Sequence, residues 1–78
     1  METKDYDRVK ELRSALILLL SGLGMSKTRI MLTMAIIVAY QIEEEMASWI
    51  TTYYGRSDDM TIEAFMAKLN ELTNDNND

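Results

Sequence analysis

Residues 27–54, KTRIMLTMAIIVAYQIEEEMASWITTYY, contain neither glycine nor proline, and whether they form one helix or two decides the fold. At about 100° per residue, Ile30, Met34, Ile37 and Val38 gather on one face of a helix. Ile42, Met46, Trp49, Ile50 and Tyr53 gather on another, turned by roughly a quarter to a third of a circle. A straight helix cannot send both stripes into one core. The phase change predicts a break near Tyr40–Gln41, which leaves Glu43, Glu44 and Glu45 in the first turn of a new helix, where acids are favoured.

Working outward, Ser26 is a natural N-cap for the helix that opens at Lys27. Met25 before it and Ile30 after it have the spacing of a hydrophobic staple. The same arrangement recurs at Thr61, between Met60 and Phe65. Upstream, Val9, Leu12, Leu16, Leu19 and Leu23 recur at helical spacing with Leu20 beside them. Thr3 or Asp5 can cap that helix, Asp5 and Asp7 suit the positive end of its dipole, and Gly22 or Gly24 can close it. Downstream, Gly55 is expected to end the third helix and GRSDDM to form a loop. Ile62, Phe65, Met66, Leu69 and Leu72 mark a last helix, and the apolar-free tail NDNND is expected to be disordered. The reading is an all-α domain over residues 1–73, a compact bundle of four short helices at about 5–21, 27–39, 42–54 and 62–73.

The chain has 78 residues, no cysteine, no histidine and no proline, and a formal charge of −5. Disulfides and Cys/His zinc sites are therefore excluded as aids to folding, and a core of this size is often supplemented by oligomerisation. The acidic balance disfavours phosphate backbones and anionic lipid. The opening METKDYDRVKELR carries both signs of charge, unlike a signal peptide, and the apolar runs are each about 11 residues against the roughly 20 of a membrane span. A cytoplasmic protein without membrane association is expected.

Catalysis is poorly supplied. The usual neutral-pH base and the thiolate nucleophile are missing. Glu43, Glu44 and Glu45 occupy consecutive positions that diverge and read as a solvated first turn. Asp58, Asp59 and Glu63 lack the alternating pattern and central glycine of a calcium loop, and SGLG lacks the lysine and spacing of a phosphate loop. No enzyme activity, cofactor or metal site is expected.

LLLSGLGMSKTRI, residues 18–30, resembles the turn of a helix-turn-helix, with Gly24 at the turn and Leu19, Leu23, Met25 and Ile30 at packing positions. The resemblance implies DNA contacts from Ser26, Lys27, Thr28 and Arg29. It departs from the pattern at Leu20, where a small residue is usual, and Met31 and Leu32 at groove-facing positions offer no hydrogen bonds to bases. A nucleic-acid partner is therefore the second choice. IVAYQIEEEMASWITTYYG, residues 37–55, is similar to short uncharacterised helical proteins of bacteria, a resemblance that implies a bacterial origin and no particular activity.

The larger signal is surplus apolar surface. Ile17 and Leu18 project off the first helix's stripe, and Leu32 and Ile36 off the second's. Either the second helix is central and wrapped by the others, or these faces meet a partner, because large exposed apolar patches are rare on soluble monomers. Met31, Met34, Met46 and Met66 read as core filler and Trp49 as a core anchor. Tyr54 lies off the stripe and is expected to be exposed. The function expected is a non-catalytic protein–protein interaction module that self-associates, with Ile17, Leu18, Leu32, Ile36 and Tyr54 as candidate interface residues.

Overall fold

A computed structural model describes residues 3–54 and 59–74, with side chains from residue 6 onward. Four helices follow one another: α1 (Thr3–Gly22), α2 (Lys27–Tyr40), α3 (Glu43–Tyr54) and α4 (Ile62–Asn74). No strand occurs among the described residues. The radius of gyration is 12.4 Å, close to the roughly 11–12 Å of compact chains this long.

The break inside the glycine-free stretch falls at Gln41, the one described non-glycine residue with positive φ (φ 55°, ψ 48°). The Gln41 N–H donates to the Val38 carbonyl and the Ile42 N–H to the Ile37 carbonyl, each at 3.1 Å. This is a Schellman closure, which satisfies carbonyls that a helix end leaves without partners. The Ile42 carbonyl then accepts from the Met46 N–H at 3.0 Å, so one residue closes α2 and opens α3. The α1–α2 corner repeats the device with glycine. Gly24 (φ 92°) donates to Ser21 at 3.0 Å, and the Met25 N–H donates to Leu20 at 3.1 Å. In both closures the residue after the turn and the residue whose carbonyl it meets, Met25 and Leu20, Ile42 and Ile37, are buried members of the same core.

The two helix starts read from the sequence are present. Ser26 Oγ accepts from the Arg29 N–H at 3.3 Å, and Thr61 Oγ1 accepts from the Ala64 N–H at 3.0 Å. The staple pairs Met25 and Ile30, Met60 and Phe65 are buried. Both pairs belong to a single core with Leu16, Leu20, Met34, Ile37, Ile42, Met46 and Leu69.

Several expectations need correction. The innermost residue of α1 is Leu20, with no exposed surface, while Val9, Leu12, Leu19 and Leu23 of the expected stripe are only half-buried. The stripe is thus rotated toward the Leu16–Leu20 line. Between the two alternatives left open for α2, the wrapped one is not found: only Ile30, Thr33, Met34 and Ile37 of α2 are buried, while α1 packs against both α2 and α3. Met31, read as core filler, is 71% exposed, and Tyr53, read as part of the α3 stripe, is 74% exposed. Asn74, placed in the tail, belongs to α4. The rest of the tail, residues 75–78, and the expected helix end and loop at 55–58 lie outside the described residues, as do the side chains of Thr3 and Asp5.

Candidate interaction surface

The outer face of α2 is the main exposed apolar feature. Met31, Leu32, Ala35, Ile36 and Ala39 are all exposed. At 100° per residue they span an arc of about 140°, opposite the buried line of Ile30, Thr33, Met34 and Ile37. The helix needs no polar outer face to form, since its own backbone satisfies its interior hydrogen bonds. What the sequence omits is the usual charge on that face: no ionisable residue other than Tyr40 lies between Arg29 and Glu43. Lys27 and Arg29 are exposed and sit just beyond the two edges of the apolar arc, at its N-terminal end.

The other candidate positions are of a different kind. Leu18 is 73% exposed, beside Ala15 and the polar Asp7, Lys10, Glu11 and Ser14. Ile17 is 42% exposed on α1, whereas Ile36 belongs to the outer face of α2 described above. Tyr54 is half-buried, contrary to expectation, because its ring meets Trp49 edge to face (centroids 5.3 Å apart, planes at 77°). Such aromatic pairs gain beyond their area alone. Tyr53 projects to solvent in its place. The predicted DNA-contact residues Ser26, Lys27, Thr28 and Arg29 are all exposed at the start of α2. Successive helical positions spread Lys27, Thr28 and Arg29 over about 200° of the helix circumference.

The acidic run is partly buried, which corrects its reading as a solvated turn. Glu43 is buried and accepts from Arg13 Nε at 3.0 Å, while Glu44 is exposed and accepts from Arg8 Nε at 2.7 Å and Nη2 at 3.3 Å. Two arginines of α1 thus clamp the first turn of α3. The Arg8 guanidinium holds the Glu44 carboxyl below its ordinary value of 4.5, through its hydrogen bond first and its charge second. Sequence separations of 36 and 30 residues explain why these pairs escape a reading along the chain; nothing local marks Glu43 for burial.

Shallow grooves flank α3. One, of about 270 Å³ between α1 and α3, is apolar and lined by Leu12, Ala15, Leu19, Ala47 and Ile50. Another, of about 540 Å³, is bordered by Trp49, Tyr53, Lys68 and Leu72. At its rim Glu44 pairs with Arg8 and Lys68 with Glu71. Among the described residues no three acidic side chains are grouped to hold a metal, and no helix is long and apolar enough to cross a membrane. No protein-family profile matches the chain, and no curated protein or solved structure is found similar to it.

Proposed function

We propose that this protein is a non-catalytic interaction module that self-associates through the outer face of α2. The observation that carries the reading is the exposure of Met31 (71%) and Leu32 (63%) beside Ala35, Ile36 and Ala39 on a helix with no charge along that face. Fully burying a Leu or Met side chain is favourable by about 1.5–3 kcal/mol. Covering this face in two copies at once is worth roughly 5–8 kcal/mol, of the same order as the 4–15 kcal/mol that association costs. The complex is therefore weak and concentration-dependent.

Sedimentation velocity from about 10 μM to 1 mM tests this. The expected result is a mass rising toward the dimer in the wild type, and a monomer at every concentration for Leu32→Glu with helicity unchanged. A wild type that stays monomeric throughout overturns the reading.

A second reading, a DNA-binding helix beginning at Ser26, is favoured by the exposure of Ser26, Lys27, Thr28 and Arg29. It ranks lower because the next exposed positions are Met31 and Leu32, and because the chain carries −5 overall. Electrostatic attraction supplies most non-specific DNA affinity. Fluorescence anisotropy with duplex DNA at low salt is expected to show no binding. Salt-dependent binding lost in a Lys27→Gln, Arg29→Gln double variant would reinstate this reading.

A further inference from the structure

The charge distribution along α2 is reversed relative to its own dipole. Lys27 and Arg29 occupy its first turn, which holds no acid, and its last turn holds no base. Cations are disfavoured at the positive end of a helix and favoured at the negative end. Within one chain this arrangement is unfavourable. Beside a second α2 running in the opposite direction it becomes complementary, because each cationic end then lies next to the other helix's negative end.

Resting on self-association through this face, we propose that two copies pair α2 against α2 antiparallel about a two-fold axis crossing the helix midpoint. Full overlap of the two 14-residue helices brings Leu32 level with Ala35 of the second copy and Thr28 level with its Ala39. Each larger side chain thus meets a small one, as close helix packing requires. Met31 lines one flank with its symmetry mate and Ile36 the other, and Lys27 and Arg29 form the polar rim at both ends, consistent with the usual apolar centre and charged margin of an interface.

The absence of cysteine from the chain makes the register directly testable. Thr28→Cys and Ala39→Cys variants are prepared singly, mixed and oxidised at a concentration where the wild type sediments as a dimer. Antiparallel pairing places position 28 opposite 39, while 28 lies about 16 Å from its own symmetry mate along the axis at 1.5 Å per residue, beyond the reach of a disulfide. A disulfide-linked dimer is expected in the mixture and not with either variant alone.

A Thr28→Cys dimer formed alone means parallel pairing and overturns the proposal. So does the lack of any cross-link in a protein that still dimerises, which would place the interface elsewhere. Dimerisation is measured separately, so parallel pairing leaves self-association through α2 standing, and a dimer without any cross-link leaves self-association standing but removes α2 as its interface. The charge argument has its own signature. In a Lys27→Glu, Arg29→Glu variant the monomer is expected to melt at higher temperature while dimer affinity falls at least about tenfold. Both quantities moving in the same direction would overturn the role of these charges.

Discussion

Gln41 holds a left-handed backbone conformation that costs an L-residue roughly 1–2 kcal/mol, although its exposed side chain takes no part in the core. Gln41→Gly is therefore expected to raise stability. Part of the relief is offset by the greater backbone freedom of glycine in the unfolded chain, leaving a net gain of about 0.5–1 kcal/mol, read as a higher denaturation midpoint. Gln41→Val is expected to lower it. The two arginines of α1 make a second contrast. Arg13→Ala leaves the buried Glu43 carboxylate without its ion-pair partner and is expected to cost about 1.5–3 kcal/mol. Arg8→Ala, at an exposed pair, is expected to cost less at neutral pH. Because the folded Glu44 carboxyl titrates below its ordinary value of 4.5, the Arg8–Glu44 contribution is present above that pH. It disappears as pH falls through the lowered value. Urea midpoints of wild type and Arg8→Ala are thus expected to converge in acid. None of this was legible along the chain at Glu43, whose burial depends on where α1 brings Arg13.

At the scale of the elements, helix starts were the most legible features because their chemistry is local. Ser26 and Thr61 each precede the N–H groups they satisfy by three residues. Ser26→Ala and Thr61→Ala are each expected to cost about 1 kcal/mol, measured by thermal or urea denaturation. The break between α2 and α3 was legible too, through the change of phase between the Ile30–Ile37 and Ile42–Met46 lines. The identity of the residue that turns was not, since glutamine carries no signal for a left-handed turn. Faces were read less well than ends. Half of a helix's periodicity argument rests on apolar residues being inside, and α2 is apolar on both sides. Periodicity alone could not place Met31 outside and Met34 inside.

For the whole molecule, the core is small, eleven residues among those described, and Phe65 within it has no exposed surface. Phe65→Ala is expected to cost about 3–5 kcal/mol, a large fraction of the 5–15 kcal/mol that typically holds a domain together. Loss of cooperative melting would register it. The proposed self-association carries a further expectation: the melting temperature of the wild type rises with protein concentration, whereas that of Leu32→Glu does not. The packing of α1 against both α2 and α3 arises from contacts no single segment encodes, which is why the sequence left open whether α2 was wrapped or bare. Its bareness also separates the methionines chemically. Met25 lies in the core, its sulfur accepting from the Thr33 hydroxyl at 3.8 Å, while Met31 stands in water. Dilute peroxide should convert Met31 to its sulfoxide before the other described methionines, adding a polar oxygen to the oiliest side of the molecule. Crowding the copies together should shield that thioether.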